Sequence, residues 1–390
     1  MQDKRTRIAA MKTIYIGIII ILIIIAGVLY ARYMLSNTMV TSQSNTTTTI
    51  VATIKAGGST FINPQMQKWI QDFSNVYPSI SITYDSVGSG TGASRFLQGV
   101  YDIGASDVPL PSDLWNQAIQ KYGSIITIPD IVGSEGIIYN LPGFAGILNM
   151  TAEILAKIYT GKIQYWDDQL ITSINPGFHF PHEKIIAVHR SDGSGTTFVF
   201  TLYLQKAASD AWNVGAGYTV NWPVDNLGNG LGGKGNEGVT AYVTQNKYSI
   251  GYVEYQYAIL NNLQTAWLKN HDGYFVPLTK DTVIAALNNV DLSKLPKPIT
   301  DISNISNILL DLPGRNTYPI VSFSYLIIKK DYQDQNKAIA IYLFLKHILS
   351  HQQSVLNGYL PLPDNIINYA IDNGLNEITV NGKPVYTIAS

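Results

Sequence analysis

The sequence predicts an α/β fold, a parallel sheet with helices on its faces, preceded by one apolar N-terminal helix. Three observations predict it. A strand, a loop and a helix follow one another three times between residues 50 and 119, the order that builds a parallel sheet. The loops at 56–61, 88–94 and 191–196 are rich in Gly, Ser and Thr, which suits sharp turns from strand into helix. Residues 14–31 are uncharged and almost wholly apolar, a run long enough to cross a bilayer.

In chain order, Lys4, Arg5, Arg7 and Lys12 precede the apolar run and Arg32 follows it. The positive flank stays in the cytoplasm, so the run reads as an uncleaved single-pass anchor in the cell membrane with the rest of the chain outside. A cleaved signal peptide is the alternative, but the run is longer than a usual signal core and no clear small-x-small site closely follows it. The expected segments are therefore a cytoplasmic 1–13, a transmembrane 14–31 and a Ser/Thr-rich linker 32–49 with too little apolar content to fold. Asn45, Asn149 and Asn304 sit in glycosylation sequons.

The folded part opens with a strand at 50–54. Asn63-Pro64 reads as an N-cap with proline at the first helical position, and Met66, Trp69, Ile70, Phe73 and Tyr77 keep helical spacing. Ile80, Ile82 and Tyr84 alternate as a strand, and the loop from Val87 leads into a short helix. Ile103 to Ala105 is a strand running into Ser106-Asp107, and Ser112 caps a helix carrying Leu114, Trp115, Ala118 and Ile119. Residues 125–139 and 318–329 are apolar enough for buried strands and are the candidate crossings between two domains. Between them fall helices near 151–159, 197–207, 237–245 and 281–288, and strands at 185–189 and 250–253. An apolar helix at 338–349, a break at Gly358-Tyr-Leu-Pro-Leu-Pro and a last helix from Asp364 finish the chain.

The stretch from Ile185 to Lys206 carries the chemistry. A short strand, Ile185 to Val188, gives way to the loop Ser191 to Gly195, and Phe198, Val199 and Leu202 then share one helical face. The first N–H groups of such a helix have no internal partners and carry partial positive charge. That end suits an oxyanion. Arg190 adds a planar fork of donors, Ser194 and Thr196 add hydroxyls, and Asp192 could hold Arg190. An ordinary capped helix, with Arg190 in a surface ion pair, accounts for the same residues. In open α/β sheets ligands sit at the carboxyl ends of strands, so three donor-rich loops far apart in sequence suggest one site shared between two domains.

Composition excludes several classes. The chain has no cysteine, which removes disulfides, thiolate metal sites, cysteine nucleophiles and a lipid-modified cysteine. Net charge is -1 with 14% charged residues, no electrostatic basis for binding nucleic acid. Gly88-Ser-Gly-Thr-Gly-Ala, with Asp107 some way on, matches only the loose dinucleotide fingerprint, and an exported chain has little access to that cofactor. A serine hydrolase needs a base, and His189 alternates away from Arg190 on its strand. His179, His182 and Glu183 fit no standard metal spacing. No catalytic residue, metal or cofactor is expected.

With these residues in view, the chain resembles the phosphate-binding proteins, the external receptors of phosphate ABC importers. The resemblance covers about residues 53–370. It rests on Gly58-Ser-Thr-Phe, Gly88-Ser-Gly, Asp102-Ile-Gly-Ala-Ser-Asp, Tyr159-Thr-Gly-Lys-Ile-Gln-Tyr-Trp-Asp-Asp, Arg190-Ser-Asp-Gly-Ser-Gly-Thr-Thr-Phe, Gly232-Gly-Lys-Gly-Asn-Glu-Gly-Val, Ile250-Gly-Tyr-Val-Glu-Tyr and Gly358-Tyr-Leu-Pro-Leu-Pro. It implies a two-lobe periplasmic-binding-protein type II fold with a two-strand hinge. Lobe I would take residues 50–134 and 320–390, lobe II residues 135–319, and phosphate would lie buried in the cleft.

Carried over by position, the resemblance implies that Thr60 and Phe61 offer hydroxyl and backbone donors and that Ser89 donates from the second loop. It implies that Asp107 accepts a proton from the ligand, that Arg190, Ser194, Gly195 and Thr196 bind from the other lobe, and that Asp192 orients Arg190. It further implies a monomer that is not an enzyme, whose partners are inorganic phosphate and the membrane subunits of an ABC importer. The loop after Trp222 departs from the pattern by extra residues, Val224-Asp-Asn-Leu-Gly-Asn-Gly, and the N-terminal anchor replaces the free or lipidated form of relatives. A receptor for sulfate or molybdate and a secreted phosphatase-like enzyme are the alternatives. Asp107 argues against the first, because sulfate near neutral pH has no proton to donate.

Overall fold

The structure, a computed structural model, describes residues 23–32, 50–291 and 294–389. Residues 23–32 are helical and belong to a compact unit separate from Ile50–Ser390. The first part of the expected anchor, the tether at 36–49 and Asn45 lie outside the described residues. No described helix is long and apolar enough to cross a membrane.

From Ile50 the fold is α/β and two-lobed, built on one curled sheet. Its eight strands are β1 (Ala52–Gly58), β2 (Ile80–Ser86), β3 (Ile103–Ser106), β4 (Ile125–Asn140), β5 (Ile186–Arg190), β6 (Gly230–Gly233), β7 (Ser249–Glu254) and β8 (Val321–Lys329). Their spatial order is β2-β1-β3-β8-β4-β7-β5-β6. Pairing is parallel among β2, β1 and β3 and among β7, β5 and β6. The expectation of a purely parallel sheet fails in the middle, where β3–β8, β8–β4 and β4–β7 pair antiparallel. The reason is connectivity: β4 leaves the first lobe and β8 returns to it, and two such strands side by side run in opposite directions.

β4 is a single strand of 16 residues, where the sequence suggested more than one. Its early residues pair with β8, and Glu135 to Asn140 pair with β7. Burial of all but its last residue explains the unbroken apolar run, as expected of a strand covered on both faces. A register shift opposite Ser324 and Tyr325 leaves Asp130 as the extra residue of a bulge, beside Pro129, which has no N–H for a ladder. Gln352 Nε2 donates to the Asp130 carbonyl at 2.9 Å and so satisfies the bulged backbone. β8 begins at Val321 rather than 318; Tyr318 instead sends its hydroxyl to the Glu135 carbonyl at 2.8 Å.

The longer helices are α1 (Asn63–Val76), α2 (Ser89–Gln98), α3 (Ser112–Tyr122), α4 (Ala152–Tyr159), α5 (Gly195–Ala207), α6 (Gly235–Gln245), α7 (Tyr255–Leu260), α8 (Lys280–Leu287), α9 (Gln335–Ser350) and α10 (Asp364–Asn373); all but α7 fall where the sequence suggested a helix. The apolar sequence of α9 reflects burial around nearly its whole surface. Two expected caps are corrected. Asn63 is already the first residue of α1, with Pro64 in the first turn and no side-chain cap. The turn before α1 is held by Ser59, whose Oγ accepts the N–H groups of Phe61 at 3.1 Å and Ile62 at 3.5 Å. Ser112 likewise lies inside α3, after Pro111, and bonds Ser303 Oγ at 2.8 Å.

β1 runs on through Gly58, past the expected 50–54, because its end has no side chain to obstruct β3. A Cβ on Gly58 would lie 2.0 Å from the Ala105 carbonyl oxygen, and its φ of +141° disfavours any other residue. The loop after β1 is therefore pressed against the loop after β3.

Candidate functional site

The loops that follow the carboxyl ends of β1, β2, β3, β5, β6 and β7 meet in one buried cluster. Asp107, one residue beyond β3, is 1% exposed. Ser59 Oγ donates to Asp107 Oδ1. Ser59 has one proton, and its acceptor capacity is taken by the Phe61 and Ile62 N–H groups, so the proton is committed to the carboxylate. Ser89, the first residue of α2, donates to Asp107 Oδ2 at 3.2 Å and accepts the Asp107 N–H at 3.2 Å. Thr196 Oγ1, from α5, reaches Asp107 Oδ2 at 3.5 Å. Burial pushes the Asp107 carboxyl upward, the Ser59 hydroxyl and the Arg190 charge oppose it, and the net shift is up.

Arg190 ends β5 and is 4% exposed. Its Nε and Nη2 donate to Asp192 Oδ1 at 2.8 Å and Oδ2 at 2.6 Å, a bidentate pair that fixes the guanidinium plane. Its Nη1 donates to Thr196 Oγ1 at 3.3 Å, and its backbone N–H donates to the Tyr252 hydroxyl at 3.1 Å. Burial alone would lower the Arg190 pKa, but the bond to Asp192 and that residue's charge raise it overall. Burial likewise works against ionised Asp192; the Arg190 fork and the Gly235 N–H, 3.0 Å away, outweigh it and hold the carboxyl below its usual value.

Thr60, Ser89, Asp107, Arg190, Asp192, Ser194, Gly195 and Thr196 are thus drawn toward one place, although Ser194 and Phe61 spend their polar groups locally. Ser194 Oγ accepts the Thr197 N–H at 3.0 Å and caps α5. The Phe61 N–H goes to Ser59, and the Phe61 carbonyl accepts the Tyr359 hydroxyl at 2.5 Å. Gly195 lies against the opposite lobe's carboxylate: a Cβ there would meet Ser89 Oγ at 2.6 Å and Asp107 Oδ2 at 2.7 Å. Gly195→Ala is therefore expected to wedge the cluster apart and weaken ligand binding by more than tenfold with little loss of fold. A ligand titration beside a thermal melt checks this, and unchanged affinity would show that the two loops need not touch.

Four polar residues of the cluster were not singled out from sequence. Ser59 and Asn236 both lie inside motifs already recognised, but nothing in the spacing distinguished them from turn formers. Tyr252 and Tyr257 look like packing residues until the structure puts their hydroxyls on the Arg190 N–H and on the Thr60 carbonyl, at 3.1 Å and 2.7 Å. His189 is packed, as alternation suggested: it stacks on Trp222 with centroids 4.9 Å apart and bonds Asp225 from the divergent 223–227 turn at 2.8 Å. His182 is exposed beside Asp167 at 2.9 Å. Among the described residues no group of His, Cys, Asp or Glu could hold a metal ion.

Three more buried carboxyls line the crossing strands: Asp130 and Glu135 on β4, and Glu254 opposite Glu135 on β7. Burial, then mutual repulsion, pushes Glu135 well above the ordinary range, and burial pushes Glu254 up in the same way. Burial pushes Asp130 up to about 8. Between about pH 4 and that value the folded protein keeps a proton the unfolded chain has lost, so stability falls as pH rises, at up to about 1.4 kcal/mol per unit for this group. Asp130→Asn is expected to flatten the fall in melting temperature over this window; an unchanged slope would show that Asp130 is ionised in the fold.

Comparison with known proteins shows what the chain is similar to. The PBP superfamily domain matches residues 43–351. The chain is 40% identical over 336 residues to the phosphate-binding protein PstS of Methanocaldococcus jannaschii, covering 83% of this chain and 86% of that one. It is 36% identical over 325 residues to PstS of Pasteurella multocida, covering 82% and 89%. Its fold is similar to that of a high affinity periplasmic phosphate-binding protein solved with phosphate bound, with a TM-score of 0.62 at 21% identity, covering 81% and 92%.

Proposed function

The chain belongs to the phosphate-binding protein family of the PBP superfamily, and from that membership and the chemistry of its cluster we propose that it captures inorganic phosphate between its lobes and delivers it to an ABC importer. One observation carries the choice of ligand: Asp107, which as a carboxylate can only accept, shares a buried hydrogen-bond chain with Arg190, which can only donate. Hydrogen phosphate is both donor and acceptor and satisfies both. Sulfate near neutral pH only accepts, and would leave Asp107 unpaired and repelled. An unsatisfied buried polar group costs about 1–3 kcal/mol, and more when charged. At about 1.4 kcal/mol per factor of ten, that supports selectivity of one to several orders of magnitude.

In this reading the Thr60 hydroxyl, the Phe61 N–H once it exchanges Ser59 Oγ for the ligand, and Ser89 bind from the first lobe, with Asp107 taking the ligand's hydrogen. Arg190, Ser194, Gly195 and Thr196 bind from the second, Arg190 held in plane by Asp192. The ligand takes over hydroxyl protons that otherwise point at Asp107. The lobes divide at 134/135 and 319/320, which the change of β4 from β8 pairing to β7 pairing at Glu135 supports. The run 14–31 anchors the chain in the cell membrane as a single pass, with the binding unit outside as a monomer; the uninterrupted apolar sequence and its basic flank support this.

Thermal shift with a panel of anions tests the function. Phosphate at about 100 times its dissociation constant should add about 2.7 kcal/mol of stability, with sulfate, nitrate and molybdate far behind at the same concentration. Equal shifts for sulfate and phosphate would reject it.

A further inference from the structure

We infer that Asn236 is a positioning residue that makes the Thr60 hydroxyl an obligate donor to the bound anion and does so only when the lobes are together. The inference rests on the phosphate reading above and deepens it. Asn236 is the second residue of α6 and is fully buried, as is nearly all of Thr60. The Asn236 backbone N–H lies 3.4 Å from Thr60 Oγ1, and Asn236 Nδ2 lies 3.2 Å from the same oxygen. The orientation of the amide is fixed by its other end, because Asn236 Oδ1 accepts the Glu254 N–H at 3.3 Å, a place only the oxygen can take.

A hydroxyl has one proton and two lone pairs. With two donors aimed at its oxygen from the Asn236 side, the Thr60 proton is turned away from Asn236 and is free to serve an acceptor in the cleft. The Tyr257 hydroxyl lies 2.7 Å from the Thr60 carbonyl and 2.8 Å from Glu237 Oε1, and shares its one proton between them. Thr60 follows β1, whereas Asn236 and Tyr257 follow β6 and β7, so all three bonds cross between lobes. Closure therefore aims the donor as well as covering the ligand.

The consequence is a rule for where the ligand's hydrogen sits. The phosphate oxygen facing Thr60 meets a donor, which favours an unprotonated oxygen there. The oxygen facing Asp107 meets an acceptor and must carry the proton. Two fixed and opposite partners then select one orientation of hydrogen phosphate, which a set of rotating hydroxyls would not.

A double-mutant cycle on phosphate affinity tests the role, with calorimetry on the full chain. Thr60→Val is expected to weaken binding about tenfold or more, and Asn236→Ala several-fold. If Asn236 works through the Thr60 hydroxyl, the double variant binds within about twofold of Thr60→Val alone. Single effects that multiply would overturn the inference. Asn236→Asp keeps the shape but presents acceptors, which draw the Thr60 proton back; it should bind more weakly than Asn236→Ala, and wild-type affinity in it would also overturn the inference. The function and this role fail separately: no phosphate heat from the wild type removes the function, whereas tight wild-type binding with multiplying effects removes only the role of Asn236.

Discussion

Replacing Arg190 by alanine is expected to weaken phosphate binding by at least about a hundredfold, the loss of a few kcal/mol seen when one partner of a buried charge pair is removed. Three features set the size. The guanidinium is almost fully buried, so water cannot replace it. It is the charge that opposes Asp107 and Asp192 in the cluster, and both carboxylates would be left facing an incoming anion. Its plane is set in advance by Asp192, so little side-chain entropy is lost when the ligand arrives. The Tyr252 hydroxyl still takes the backbone N–H of residue 190 in the variant, so β5 keeps its end in place. Calorimetry with phosphate, alongside a circular dichroism spectrum, checks the result; a dissociation constant near wild type would place Arg190 outside the site.

Asp107→Asn is expected to bring the larger change in selectivity. The asparagine can offer an N–H where the carboxylate could only accept, so sulfate loses its repulsion and gains a donor, while the protonated phosphate oxygen loses a charge-assisted partner. The phosphate-to-sulfate affinity ratio should fall by one to two orders of magnitude, about 1.4 kcal/mol for each. Ser59, Ser89 and Thr196 all reach this carboxylate, so the variant also loosens the hydroxyl array around it. Acid should imitate the substitution. The Asp107 pKa is raised by burial, so selectivity is fully present above that value and declines as pH falls through it and the carboxyl becomes a donor. Selectivity that is flat with pH, and unchanged in Asp107→Asn, would remove Asp107 from the discrimination.

Much of this was legible in the sequence for physical reasons. Strand alternation at Ile80, Ile82 and Tyr84 and helical spacing from Met66 to Tyr77 are consequences of which side chains are buried, and the structure puts β2 and α1 there. Arg190, Asp192 and Thr196 were readable because a strand that ends in a Ser/Gly loop before a helix presents its next residues together. The mixed sheet was not readable, since antiparallel pairing at β4 and β8 is decided by where the chain returns from and not by local composition. The bulge at Asp130 beside Pro129 was not read from the sequence either, because a bulge is defined only against its partner strand. Asn236 could not have been found from its own neighbourhood, because its partner Thr60 lies 176 residues away in the sequence. Nor does sequence periodicity reveal that Ser59 has committed its one proton to Asp107.

The most direct measurement is a high-resolution crystal structure of the protein with phosphate. One phosphate oxygen is expected within hydrogen-bonding reach of Asp107 and another within reach of the Arg190 guanidinium, with the lobes shut around the ion. Phosphate bound elsewhere, or in contact with only one of these two side chains, would contradict the shared buried site.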